Sequence, residues 1–537
     1  MGAFSFTIKA TDSAGESTTQ NFSLTIGPGV SGAALLKGQY AFEFSGFNSG
    51  GAVVTAGSFT ADGAGNITSG VEDFNSIQGP PKNQTFSGTY TLGSDGRGTL
   101  AFSSLTGSPT YAFAIDPTGA HGRLIEFDSS GIRGSGEIEK QTVTTCGADT
   151  ISTGNAVGES YVFGITGSVA AFSGVSQAGP MVVAGAFTAL PPPGAGVAGS
   201  LAGEADTNIP GIGIPNPINS GGGPTLSGVF QTSSQSARCT MSLTPQQSVS
   251  SLNFSVYPVS GSTTALTEAF IVETDKIEST SPYLTVGRLI QQCIVVSGAC
   301  ATSPFAGQPA GTFFTATSVG ALTGEVFDPN ITPNIYLPDV AIAELTGTGR
   351  VSFTMSIVEN QAGTVTTQQS PIQGNFSSLD INGRVTTSLI SSFVPVFYII
   401  SQNEALYIGQ INNNPFFGIF EPQSNGPFSA STIKGTFIEG TSAPATSTVQ
   451  DFSGVITLDG VSAVTGTQDL STSAANTAAQ GVTGTYTGIA SATGAGTYTL
   501  TAPSPFTGQF FIVTPTKFVL VSTTPGDLNP VVVTVGD

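Results

Sequence analysis

The sequence predicts an all-β protein of four tandem antiparallel meander modules, read as eight-stranded up-and-down β-barrels, with β-sandwiches as the alternative. Three observations predict it. Short runs of alternating apolar and polar residues recur along the chain. Gly and Pro, 70 and 32 of 537 residues, punctuate those runs. Three landmark motifs also return four times in one order. A chain of this length exceeds one hydrophobic core, so several domains are expected.

The first element spans 1–28. Phe4-Ser-Phe-Thr-Ile8 and Gln20-Asn-Phe-Ser-Leu-Thr-Ile26 alternate on either side of a Thr11-Asp-Ser-Ala-Gly15 turn. This hairpin resembles the closing hairpin of the Ig-like or cadherin-like domains of large bacterial surface proteins. The resemblance implies an extracellular setting. No basic start and no apolar run precede the first strand, which marks the start as internal to a longer chain.

The modules follow at 36–142, 157–292, 322–422 and 433–537. Their first landmark is a glycine in the opening strand, Gly38, Gly158, Gly324 and Gly435. The second is an apolar-polar-Gly step in a central strand, Phe86-Ser-Gly88, Leu226-Ser-Gly228, Ile372-Gln-Gly374 and Val482-Thr-Gly484. The third is an aromatic-rich strand around Phe113, Phe270, Tyr398 and Phe511. First and second landmarks lie about 50 positions apart in three copies and about 70 in the second copy. The excess in that copy reads as an insertion, with a loop from Pro191 to Pro224.

Module one displays the strand count most clearly, with runs at 38–47, 53–62, 65–76, 83–92, 96–104, 110–116, 121–128 and 131–141. Asp62-Gly-Ala-Gly65 and Ser94-Asp-Gly96 are hairpin turns in which Gly supplies positive φ. Closing such a meander removes its exposed edges. Tyr40, Phe42, Phe44, Phe86, Tyr90, Tyr111 and Phe113 fall on one face, and that many rings predict a filled interior.

Charged residues make up only 9% of the chain, against roughly 25% in an ordinary soluble domain. The net charge is −20 with 14 basic residues dispersed, which excludes a phosphate-binding face and nucleic acid as a partner. No run of about 18 apolar residues is present, so no membrane insertion is expected. Cys146, Cys239, Cys293 and Cys300 suit two disulfides. Cys293 with Cys300 would close a hairpin around Ser297-Gly298, leaving Cys146 to Cys239.

Candidates for chemistry are few. His121 is the sole histidine and has no Gly-x-Ser-x-Gly elbow to serve, so it reads as a turn residue beside a strand. Gly194-Ala-Gly196-Val-Ala-Gly199 matches a dinucleotide loop but follows three prolines instead of a strand. Asp62 with Asn66, and Asp380 with Asn382, are weak calcium candidates with too few acids for a full shell. Glu72-Asp73 and Glu137/Glu139 are acid pairs of the kind glycosidases use, and both read as solvated strand faces. The sequons at Asn83 and Asn375 matter only in a glycosylating host.

The expectation is therefore a non-catalytic structural or adhesive segment of a secreted or surface-attached protein, its modules serving as spacers. It needs no cofactor, and its partner is an extracellular protein or polysaccharide. A small-ligand-binding barrel is the alternative, and a glycosidase the third reading.

Overall fold

The computed structural model describes residues 2–536 apart from 12, 14, 27–31, 104, 106–107, 144–145, 147–158, 171–178, 191–197, 210–224, 233–236, 246–250, 262–265, 278–282, 297–298, 301–304, 306, 329–334, 368–370, 389–394, 412–413, 443–449 and 473. Gly2–Thr11 and Ser17–Ile26 pair as an antiparallel hairpin. Four closed eight-stranded antiparallel barrels follow. Their first and last strands are Lys37–Asn48 and Arg133–Lys140, Glu159–Val169 and Tyr283–Gln291, Thr317–Asp328 and Asn414–Pro422, and Gly435–Thr441 and Val532–Gly536. In the third barrel the short strand Thr364–Thr367 is added to Ser352–Gln361, outside the closed ring of eight.

Barrels, not sandwiches, form because every last strand pairs with the first, as in Glu139↔Ala41 and Val535↔Glu439. Buried aromatic and aliphatic side chains line all four interiors. Phe42, Phe59, Phe86, Phe102 and Tyr111 interlock in the first barrel, with Phe86 and Phe102 ring centroids 4.4 Å apart. The recurring glycine of the central strand lies where the next strand crowds in. A Cβ on Gly88, Gly228 or Gly484 would sit 2.2 Å from the carbonyl oxygen of Ala101, Ser242 or Thr499.

Two landmarks are corrected by the register. Gly38 and Gly435 occupy equivalent places at the start of their barrels, with φ of 110° and 151°. Gly324 instead lies far along its strand, and the third barrel begins earlier, at Thr317. Phe270 belongs to the seventh strand of barrel two, Leu266–Glu273. The true counterpart of the aromatic strand is Leu252–Gly261, carrying Phe254 and Tyr257. The supposed loop from Pro191 to Pro224 contains the third strand, Gly199–Asn208, opened by the last glycine of the dinucleotide pattern. Gly194 and Gly196 lie outside the described residues, as does Gly158.

The barrels are not strung out as spacers; each packs on the next, and the fourth returns to the first. Three of the four seams repeat one design. An aspartate on the third strand of one barrel meets an arginine opening the fifth strand of the next: Asp73 with Arg238, Asp206 with Arg384, and Asp469 with Arg97. At the first two seams a tyrosine of the sixth strand, Tyr257 or Tyr398, donates its hydroxyl to the same carboxylate. Apolar clusters surround the first three seams, for example Val71, Tyr257 and Phe270 at the first. The fourth is held by polar bonds, including Arg133 Nε to Thr472 O at 2.8 Å and Asn476 Nδ2 to Asp128 O at 2.7 Å.

A glutamine just past the last strand completes each of the first three seams. The backbone N–H of Gln141, Gln292 and Gln423 bonds its own barrel's first strand, at Gln39, Ser160 and Thr317. Its side-chain amide reaches the next barrel's sixth strand, at the Pro258, Ile399 and Ile512 carbonyls. Each hook thus ties two barrels through buried backbone groups that would otherwise lack partners.

Candidate functional site

The ring leaves a central cavity of about 450 Å³ lined by all four barrels. Strand register dictates what meets there. The outward residue at the start of each seventh strand faces the junction: His121, Glu268, Glu404 and Lys517. The outward face of Arg133–Lys140 adds Glu137 and Glu139, and the first strand of barrel one adds Glu43. Equivalent positions to Glu43 are small, because space is tight. A Cβ on Gly164 would lie 2.5 Å from the Phe417 ring, and one on Gly440 2.7 Å from Arg123.

Arg288 organises the charges. It bonds Glu137 and Glu268, and its Nη2 lies 2.9 Å from Glu139 Oε1. Arg123 bonds Glu137, Lys517 Nζ is 2.8 Å from Glu421 Oε1, and His121 Nδ1 is 3.5 Å from Glu139 Oε2. Carboxylates Glu43, Glu137, Glu139, Glu268, Glu404 and Glu421 outnumber the lasting cations Arg123, Arg288 and Lys517. Burial pushes Glu43 up to about 7, against the pull of Arg288 and Arg123. Burial and then Glu139 push Glu268 up to about 8, while His121 and Lys517 pull it the other way. Burial also raises Glu404. These raised acids ionise readily beside an entering cation and not beside an anion, so the junction favours a cation.

His121 therefore opens a strand at the junction of four barrels. Neither acid pair lies on a solvated face. Glu72 is 4% exposed inside barrel one, Asp73 holds the first seam, and Glu137 and Glu139 line the cavity. Asp62 accepts bonds from the Ala64 and Asn66 backbone N–H groups and from the Asn66 side chain, all within one turn. Asp380 caps its own turn likewise, and Asn382 reaches Glu204 across the second seam. Among the described residues no three His, Cys, Asp or Glu side chains gather in a way that could hold a metal ion. The disulfides are Cys146–Cys239 and Cys293–Cys300, the latter in the connection between barrels two and three. The turn at Ser297-Gly298 lies outside the described residues.

The seam residues were missed by sequence reasoning, although a signal existed. Asp73-Phe-Asn75, Asp206-Thr-Asn208 and Asp469-Leu-Ser471 recur on third strands, and an arginine follows the next barrel's turn at Gly96-Arg97 and Gly383-Arg384.

No protein-family model matches the chain, and no curated protein matches its sequence. Among solved structures, a protein of unknown function from Nostoc punctiforme is 10% identical, covering 48% of this chain and 98% of its own at a TM-score of 0.15. The isotype 1 transferrin binding protein B of serogroup B Neisseria meningitidis is also 10% identical, covering 78% of this chain and 83% of its own at a TM-score of 0.18. At such scores neither likeness carries an argument about this chain's function.

Proposed function

We propose that the chain is a non-catalytic interaction unit working outside the cytoplasm, a rigid ring that presents its loops and seams to an extracellular protein or polysaccharide. The observation that carries this reading is the seam design. Side-chain amides, ion pairs and apolar clusters are spent on fixing four aromatic-filled barrels against one another. The paired cysteines support an oxidising compartment. The junction carboxylates Glu137 and Glu139 are tied to arginines, which leaves them poor acid–base catalysts. The test is binding of the full chain to immobilised polysaccharides and matrix proteins. Saturable binding without turnover is expected. Hydrolysis that stops on Glu268→Gln or Glu404→Gln substitution would overturn the reading.

A second reading, small-solute binding, is favoured by the central cavity. Its volume suits a small molecule, and its excess of carboxylates beside Phe417, Ile419 and Val519 suits an aliphatic amine. Titration of the full chain with 1,5-diaminopentane, with glutarate as control, tests it. Binding of the diamine alone is the expected outcome; preference for glutarate would refute it.

A further inference from the structure

Among the described residues, the six carboxylates of the central cavity face three lasting cations, Arg123, Arg288 and Lys517, with His121 as the fourth basic group. Were all six ionised, three negative charges would stand uncompensated in a closed junction. The remaining walls do little to solvate them, since Gly164, Phe417, Gly418, Ile419 and Val519 bring no polar side chain. Carboxylates in such surroundings keep protons in preference to charge.

The resident cations are fixed in place. The Arg288 guanidinium lies 4.8 Å from the centre of the Phe270 ring, bonds Glu137 and Glu268, and keeps Nη2 2.9 Å from Glu139 Oε1. Burial lowers Arg288 only to about 10, so it stays charged through neutral pH. Arg123 bonds Glu137, and its stem fills the space that a side chain at Gly440 would need. Lys517 Nζ pairs with Glu421 Oε1 at 2.8 Å. An incoming ammonium group therefore takes the place of a proton and not of a resident cation.

Glu43 and Glu268 are the carboxylates from which that proton comes. At Glu43, on the first strand of barrel one, burial outweighs the pull of Arg288 and Arg123, and Glu139 adds to it. Glu268 of barrel two meets charge from every side: Glu139 and His121 from barrel one, Arg288 from its own barrel, Glu404 from barrel three and Lys517 from barrel four. Glu404 in turn is raised by burial and then by Glu421, while the Ser401 hydroxyl, 2.5 Å away, and Lys517 act against this. A positive charge set among these groups favours their ionised forms, so each proton is released as the charge arrives.

We propose that the junction exchanges protons for a diamine: the two entering ammonium groups expel the protons of Glu43 and Glu268, so the ring loads above neutral pH and unloads in mild acid. The proposal rests on the reading of the cavity as an amine site and adds the device that controls its filling. No covalent bond to carbon changes. The O–H proton of each acid passes to solvent, and an ammonium N–H donates to the carboxylate left behind. Phe417, Ile419 and Val519 cover the methylene chain between the two heads. In mild acid the diamine has to ionise both acids before it binds, so affinity falls about tenfold per pH step of one for each proton released. His121 Nδ1 lies 3.5 Å from Glu139 Oε2, and its protonation adds a competing charge at the same place.

The experiment titrates the full chain with 1,5-diaminopentane by calorimetry from pH 5.5 to 8.5, with the pH 6.5 titration repeated in phosphate and in MES, whose ionisation heats differ. Affinity should rise by about tenfold or more between pH 6 and 7 and level off above about 8. The difference between the two buffers should report about one to two protons released per diamine at pH 6.5. Glu268→Gln, which keeps a polar amide beside Arg288, should reduce that release by about one proton and flatten the pH dependence. Glu43→Gln makes the same test from barrel one, so the result does not hang on the folding of a single variant. Binding without proton release, release unchanged in both folded variants, or an affinity already level above about pH 5, as ordinary carboxylates give, would overturn the exchange and leave the amine site standing. No binding at any of these pH values would overturn both.

Discussion

The second and third seams join barrels in the same way but with opposite chemistry. At the second, Asp206 is fully buried and takes two bonds from Arg384 and one from the Tyr398 hydroxyl. At the third, the same positions hold Val358, Ala495 and Phe511. Carboxylate, guanidinium and hydroxyl have all given way together, and Asn360 still reaches across to the Ser522 carbonyl at 2.8 Å, as Asn208 reaches Gly409. The charged trio therefore behaves as one unit. Keeping any single member would leave a buried charge or hydroxyl without its partner, and that costs more than the whole trio contributes.

The largest effect is expected where buried acids have no such unit. Each barrel interior holds a carboxylate that burial pushes up to about 8: Glu72, Glu273, Asp339 and Glu439. Among the described residues, one carboxylate oxygen on each of Glu273 and Glu439 has no hydrogen-bond partner. Their folded pKa lies above the unfolded value of about 4, so the folded state holds the extra protons. Stability is then full below that unfolded value. It falls as pH rises from there to about 8, by up to about 1.4 kcal/mol per pH step of one for each group. Thermal melts from pH 4 to 9 should show a steady decline toward the alkaline end. A maximum near pH 8 would mean that these acids are ionised and paired. Glu439→Gln should flatten the decline, whereas a seam substitution should not.

Next in size is the cost of splitting a trio. Arg384→Leu leaves Asp206 buried without its cation and should cost about 3–5 kcal/mol in denaturant melts. Its mirror, Val358→Asp, places a lone acid among Val340, Ile342 and Phe511 and should cost a similar amount. If both changes cost under about 1 kcal/mol, water reaches the seams and the comparison loses its basis. Arg97→Leu at the closing seam should cost less, because its partner Asp469 also accepts the Ala479 N–H at 2.8 Å.

The glutamine hooks come third. Gln292→Ala removes amide bonds to the Asn382 and Ile399 carbonyls and should cost about 1–3 kcal/mol. Gln423→Ala should cost about the same, because the hook is common to both seams whatever their charge. A large inequality between the two would show that the hook depends on the trio beside it.

The fold was largely legible because strand alternation and turn glycines act locally. The eight runs of module one, for instance, need only Phe86-Ser-Gly88-Thr-Tyr90 and its like to declare which face is inside. The junction was not legible. Glu137 and Glu139 alternate with Ile138 just as surface residues do, and only ring closure buries them. A sequence pattern records that a side chain faces out of its barrel, but not that another barrel stands there. Phe270 was misplaced for a related reason: strands six and seven of barrel two are both apolar on both faces, one face lining the core and the other the first seam.

The least costly substitution is the most discriminating. Replacing the whole second-seam trio by the third seam's residues, Asp206→Val with Arg384→Ala and Tyr398→Phe, removes the buried carboxylate, guanidinium and hydroxyl together. Desolvating an ion pair roughly cancels its attraction, so the triple variant should fall between unchanged and a few kcal/mol more stable, far from the sum of its single changes. The loss of volume from Arg384 limits the gain, since alanine in the third seam sits beside the larger valines of barrel four. A triple variant as unstable as Arg384→Leu alone would show that the two seams differ in shape as well as charge, and that the trio is not interchangeable.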